Sequence, residues 1–246
     1  MADASRAASA DDDGGLDPHT TDPYAGSLCA VRTAHPHIVL TYDDGPDPEG
    51  TERVLAALAE HGATATFFLL LSRARRYRSF LSRLLESEHE IGLHGPDHRR
   101  LTSLPYAEVR QRTSDAKREL EDMSGREVRW FRPPYGAQTR TTWRAVTDIG
   151  LEPVLWGPEF RDWKDTPLDE HVAHARVGAV AGAIVLAHDG FAGPEDGVDD
   201  GAAPTFDRGL LTRRVLDAYR EIGLHGRSLS SVLAHGTPLR EARFKR

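Results

Sequence analysis

The apolar, strand-length run His37-Ile38-Val39-Leu40 leads directly into Thr41-Tyr42-Asp43-Asp44-Gly45-Pro46. The run carries two β-branched residues and reads as a buried strand, with Gly45-Pro46 as its stop. Adjacent carboxylates at the mouth of such a strand raise each other's pKa unless a cation or a hydrogen-bond donor separates their roles. An isolated Asp-Asp-Gly is more often a turn or a helix cap. Its reading therefore depends on the partners the rest of the chain brings to it.

Outward from this strand the pattern alternates. Thr51 reads as the N-cap of a helix over Glu52 to His61, with Gly62 as its stop. Ala63 to Leu71 follows as a strand, apolar at nearly every position, which suits a sheet covered on both faces. Further strands are expected at Glu90 to His94, Val128 to Arg132, Glu152 to Trp156 and Ile184 to Leu186. Helical spacing marks Ala74 to Glu88, Tyr106 to Met123, Thr141 to Ile149, His171 to Val180 and Arg208 to Ile222. Ser228 to Leu233 reads as a last strand or a short helix. About seven strand–helix alternations with no linker predict an α/β fold of parallel strands, either a barrel or a doubly wound sheet. Gly190 to Asp207 is the one long irregular insertion and reads as a solvated lid or rim.

A chain of 246 residues has room for one large domain. Its net charge of -7 is spread over interspersed signs, so no basic face points to nucleic acid. No apolar run reaches membrane-spanning length. Residues 1–27 include Asp11-Asp12-Asp13-Gly14-Gly15 and no apolar signal-peptide core. They read as a disordered acidic tail before a domain over 28–246, and the protein as cytoplasmic. A single cysteine, Cys29, rules out an intramolecular disulfide and reads as an inert, partly buried thiol.

The polar oddities fall where predicted strands run out. They are Asp43-Asp44, His94-Gly95-Pro96-Asp97-His98, Arg132-Pro133-Pro134-Tyr135-Gly136, Glu159-Phe160-Arg161-Asp162-Trp163 and His188-Asp189-Gly190. In a parallel barrel the C-terminal strand ends share one rim, where active sites are built. One helical turn between His94 and His98 would place both imidazoles on one side. With a carboxylate from Asp43-Asp44 they make a His-His-Asp set that leaves an open position, as catalytic metal sites require. Such a set favours Zn²⁺, with Co²⁺, Ni²⁺ or Fe²⁺ also able to occupy it. Arg132 is expected to pair with whichever Asp is not on the metal.

In order and together, these motifs resemble those of the polysaccharide deacetylases with a NodB homology domain, carbohydrate esterase family 4. The resemblance covers roughly Pro36 to Gly236 and implies a distorted (β/α) barrel. It implies that Asp43 is the general base and that Asp44, His94 and His98 hold one divalent metal. Arg132 would hold the base, and the Tyr135 backbone N–H would help bind the oxyanion. Asp162 would orient His188, the general acid, while Trp163 and Leu186 line the acetyl pocket. This chain departs from the family pattern in Tyr42 for the usual Phe, Gly95-Pro96 where a Ser or Thr follows the first metal histidine, and Glu159-Phe160 for the usual Asp-Thr.

The implied reaction is metal-dependent hydrolysis of an N-acetyl or similar amide. The expected substrate is a small soluble acylated amine, such as an amino sugar or metabolite. Three features point that way: no export signal, the bulk of Glu159 and Phe160 beside the pocket, and the 190–207 loop closing over it. The alternatives are a cell-wall polysaccharide deacetylase, of chitin or peptidoglycan type, and a catalytically weak sugar-binding module. A metal-independent relative acting on cyclic ureides or imides is a further rival. The intact ligand set argues against the last two.

Overall fold

The computed structural model describes residues 26–245. The expected tail therefore lies outside the described residues, apart from Gly26 and Ser27, and Ser27 already opens a strand. The elements in chain order are β1 (Ser27–Thr33), β2 (His37–Asp43), α1 (Gly50–Glu60), β3 (Thr66–Leu70), α2 (Leu71–Arg76) and α3 (Arg78–Glu86). Then come β4 (Glu90–Gly95), α4 (Tyr106–Ser124), β5 (Trp130–Phe131), α5 (Arg140–Thr147), β6 (Glu152–Pro153) and α6 (Leu168–Arg176). The chain closes with β7 (Ile184–His188), α7 (Arg208–Glu221), β8 (His225–Arg227), α8 (Leu229–Leu233) and β9 (Gly236–Glu241).

The main sheet runs β6-β5-β4-β3-β2-β7, all parallel, with β8 also pairing to the start of β2. Its two edges meet through irregular contacts. At one end β1 is wedged between them, bridging Leu28 to Val154 and Ala30 to Ala183. At the other, the segment after β6 bonds directly to β7, with the Phe160 N–H donating to the Leu186 carbonyl at 2.9 Å. The result is the expected distorted barrel. β9 then pairs antiparallel with β1 outside it.

Alternation along β2 sorts the side chains. Val39 packs inside the barrel with Phe68, Trp130, Val154 and Ile184, and Leu28, Leu229 and Val232 close this inner core. Ile38, Leu40 and Tyr42 face the helix layer, where the larger core lies. The strand thus delivers Thr41 and Asp43 to the barrel's upper interior.

Several local expectations are corrected. The helix over Ala74 to Glu88 is two helices broken at Tyr77, and the first begins at Leu71, which had read as strand. Ser228 to Leu233 resolves as the helix α8. Thr51 lies inside α1 and does not cap it; Asp47 Oδ1 instead accepts the Glu49 and Gly50 N–H groups at 3.1 and 2.8 Å. Among the described residues no helix is long and apolar enough to cross a membrane.

Candidate active site

Register brings the predicted residues together. β2–β7 pairing sets Asp43 beside His188, and β4 carries His94 one residue from its end, next to the strand that carries Phe68. The glycines of the two turns interlock. A Cβ on Gly45 would sit 2.2 Å from Asp189 Oδ2, and one on Gly190 would sit 2.7 Å from the Asp44 carbonyl. Asp-Asp-Gly and His-Asp-Gly are therefore two halves of one packed junction. Among the described residues four non-glycine residues have positive φ, and three of them, Asp44, Tyr135 and Arg161, stand at this rim. Strain collected at one place marks a site that the surrounding structure holds against its cost.

The two adjacent carboxylates have different partners. Asp43 Oδ1 accepts from Arg132 Nη1 at 2.8 Å, and the same nitrogen donates to Thr41 Oγ1 at 2.6 Å. Arg132 is fully buried, with its guanidinium carbon 4.2 Å from the centre of the Phe68 ring. Burial lowers its pKa, and Asp43 opposes that fall. Asp44 Oδ1 instead lies 3.5 Å from His94 Nε2 and 3.4 Å from His98 Nε2. This oxygen is buried and has no hydrogen-bond partner. Burial pushes the Asp44 pKa up, but His98, His188 and His94 together pull it down to about 2. For His98 burial prevails and lowers the pKa to about 4, so its imidazole is neutral at pH 7.

These three residues fit a divalent cation. Their ligand atoms all lie within 4.8 Å of one another. His94 Nδ1 faces the Arg132 carbonyl at 2.8 Å; a carbonyl only accepts, so the proton sits on Nδ1 and the Nε2 lone pair faces the cluster. An orphaned buried carboxylate oxygen opposite two imidazole nitrogens is what a missing cation would leave. The path to this geometry differs from the expected one. His94 is the penultimate residue of β4 and His98 lies on a non-helical loop, its N–H donating to the Asp196 carbonyl at 2.9 Å.

On the opposite side, His188 Nδ1 donates to Asp162 Oδ1 at 2.7 Å, and the His188 backbone N–H donates to Oδ2 at 2.7 Å. Burial disfavours the imidazolium, but Asp162 outweighs it and lifts the His188 pKa to about 9. Arg208, which the motifs did not reveal, braces the pair: its Nη1 donates to Asp162 Oδ2 at 3.2 Å and to the His188 carbonyl at 3.0 Å. Trp163, 37 % exposed, stands edge-on to the His188 ring.

Asp43, Asp44, His94, His98, His188 and Trp163 line one cavity of about 300 Å³ that also contacts Leu186 and Tyr135, with Arg132, Asp162 and Arg208 standing behind them. Trp156, Phe191 and Asp200 line it as well, none of them foreseen. Phe191 and Asp200 come from the 190–207 loop, so that loop is a wall of the site. It is bolted down by Asp196, whose carboxylate accepts from Ser72 Oγ at 2.8 Å and Arg73 Nε at 2.9 Å. Cys29 is buried in β1 and does not line the cavity.

Glu159 and Phe160 do not crowd the pocket as expected. Glu159 turns to the Trp156 Nε1 and Arg161 Nε donors, and Phe160 is 2 % exposed within the core between barrel and helices. Phe160→Ala is therefore expected to lower stability by about 3–5 kcal/mol, the cost of emptying a packed aromatic site, while leaving KM unchanged. Chemical denaturation alongside kinetics checks this; an altered KM at full stability would return Phe160 to the pocket.

A buried three-ligand cation set, an arginine-held carboxylate and a carboxylate-held histidine around one cavity define the class: cation-assisted amide or ester hydrolases. Comparison with known proteins narrows it. The polysaccharide deacetylase family model matches residues 30–154. A chitooligosaccharide deacetylase of Azorhizobium caulinodans is 37% identical over 166 residues, covering 67% of this chain and 79% of that protein. The peptidoglycan-N-acetylmuramic acid deacetylase PdaC of Bacillus subtilis is 32% identical over 79% of this chain, which spans only 42% of PdaC's length. A PdaC structure aligns with a TM-score of 0.69 at 26% identity, covering 82% of this chain and 91% of that one. A CE4 family pseudoenzyme from Bacillus anthracis aligns with a TM-score of 0.74 at 22% identity, over 85% of this chain and 69% of that one. That last likeness shows the fold alone. The chain belongs to the polysaccharide deacetylase family, hydrolases of N-acetyl amides.

Proposed function

We propose that this protein removes acetyl groups from the N-acetylated amino sugars of a glycan, of chito-oligosaccharide or peptidoglycan kind, with a divalent cation held by Asp44, His94 and His98. One observation carries the proposal of activity. Asp43–Arg132, the ligand triad and His188–Asp162 stand complete around a single cavity. A pseudoenzyme with the same fold makes that completeness the deciding point. The glycan rests on what the relatives' names state and on a loop pinned at the cavity's side. With Glu159 and Phe160 turned away, a main support for a small-metabolite substrate is gone.

Bound at the triad, a cation such as Zn²⁺ supplies Lewis-acid polarisation of the amide carbonyl and acidifies a water. Asp43, anchored through Oδ1 to Arg132, keeps Oδ2 free to take the proton of an attacking water. The role assigned to the N–H of Tyr135, a cavity-lining residue with positive φ, is donation to the developing oxyanion, worth about 3 kcal/mol for one such donor. His188, whose Nδ1–H is committed to Asp162, delivers a proton from Nε2 to the departing amine. Leu186 and Trp163 form apolar walls suited to an acetyl methyl and a sugar face.

The acid role has a signed consequence. His188 works protonated, so activity is lost as pH rises through its pKa. Asp162 is what raises that pKa, so Asp162→Asn lowers it and moves the alkaline limb of the rate profile to lower pH. A pH–kcat/KM profile of the variant checks this; an unmoved limb would refute the pairing.

The substrate class is tested by acetate release from N-acetylglucosamine and its oligomers. The expected result is a kcat/KM that climbs with chain length as sugars beyond the cleaved unit contribute binding. A monosaccharide handled as well as a tetramer would restore the small-substrate reading.

A further inference from the structure

We infer that Asp200, on the loop between β7 and α7, is the positioning residue for the metal ligand His98. The inference rests on the cation reading above. The two histidine ligands are held unequally. His94 has its Nδ1 satisfied at 2.8 Å by the Arg132 carbonyl, a group fixed by the sheet. His98 Nδ1 is buried and lacks a hydrogen-bond partner. The acceptor facing it is Asp200 Oδ2, 3.7 Å away. A ligating imidazole presents its lone pair reliably only when its other nitrogen donates to something.

Asp200 is suited to be that acceptor. Its Oδ2 takes a hydrogen bond from Tyr135 Oη at 2.5 Å, which holds the carboxylate toward the histidine. The Tyr135 ring lies 4.3 Å from the His98 ring, centre to centre, and Arg100 covers it with its guanidinium carbon 3.7 Å from the ring centre. Among the described residues no lysine or arginine forms an ion pair with Asp200, so its charge is uncommitted except toward His98. The gap closes by under 1 Å of side-chain movement for a normal N–H···O bond. The Nδ1–H of His98 then donates to Asp200, fixing the tautomer with Nε2 toward Asp44.

A structural consequence follows. The loop that carries Asp200 also carries Phe191 and Ala192 of the cavity wall, and its Asp196 carbonyl holds the His98 N–H. The cavity wall and the looser metal ligand are one mechanical unit. Metal affinity is set partly by a surface loop outside all the motif residues.

The test is Zn²⁺ competition against a chromophoric chelator, with no turnover involved. Asp200→Ala is expected to weaken Zn²⁺ binding by about 10–100-fold, and Asp199→Ala, its exposed neighbour, to leave it unchanged. Tyr135→Phe keeps the ring, removes the hydroxyl and gives an intermediate loss. In ¹⁵N-histidine NMR of the Zn²⁺-loaded protein, the His98 Nδ1–H signal is protected from exchange. It disappears in Asp200→Ala while that of His94 stays, a change that loop packing alone does not produce. Affinity within about twofold of wild type with an unchanged His98 signal would overturn the inference. Failure of the wild type itself to bind Zn²⁺ would overturn the cation reading, a different and separately visible result.

Discussion

Asp44→Ala is expected to retain no stoichiometric metal and to lose deacetylation on the order of 10³-fold or more, the scale of several kcal/mol of Lewis-acid stabilisation. In the proposed site Asp44 Oδ1 would be the anionic ligand, and this atom is buried without a hydrogen-bond partner. Without it two imidazoles remain, one of them held by a loop. The backbone complicates the variant, because Asp44 has φ +71, where alanine is strained. Asp44→Asn tolerates that conformation and keeps the shape while removing the charge, so it separates ligand loss from strain. Elemental analysis after dialysis reads the outcome directly. About one metal per chain is expected in wild type, and far less in either variant.

Asp43→Asn, one residue away, is expected to fail differently: metal retained, turnover down about 10²–10⁴-fold, the usual size of a missing general base. Its carboxylate is engaged by Arg132 at 2.8 Å, and its other oxygen lies 3.8 Å from His94 Nε2, farther than the oxygen of Asp44. The variant also leaves Arg132 as a fully buried cation without its counter-charge. Breaking such a pair costs about 3–5 kcal/mol, so kinetics belong at a temperature where the variant is still folded. Equal metal loss in the Asp43 and Asp44 variants would show the two roles to be misassigned.

The rim was legible in the sequence because parallel strands end on one side of a barrel. Each apolar run that stops at a charged or aromatic cluster then points to the same place. Asp43, His94, Arg132 and His188 each stand within one residue of the end of a strand, and Asp162 follows the segment that bonds to β7. What stayed hidden lacked periodicity. β5 and β6 are two residues each, too short for alternation to set their bounds, and β1 and β9 lie outside the strand–helix alternation. Phe160 was misread because a bulky residue between two motif positions can face either way. Here it faces the helix layer, while its carbonyl lies 3.0 Å from His171 Nδ1. Thr51 looked like a cap because its hydroxyl precedes a helical run, yet that hydroxyl donates to the buried Asp189. Asp200 and Phe191 sit in a loop whose composition says only that it is solvated.

In the proposed function one site hydrolyses N-acetyl groups and needs its cation to do so. The direct measurement is acetate release from an N-acetylglucosamine tetramer by the full chain, before chelation, after exhaustive chelation, and after Zn²⁺ is restored. Release, its loss to background and its return are the expected results. Undiminished release from the chelated protein would contradict the need for a cation.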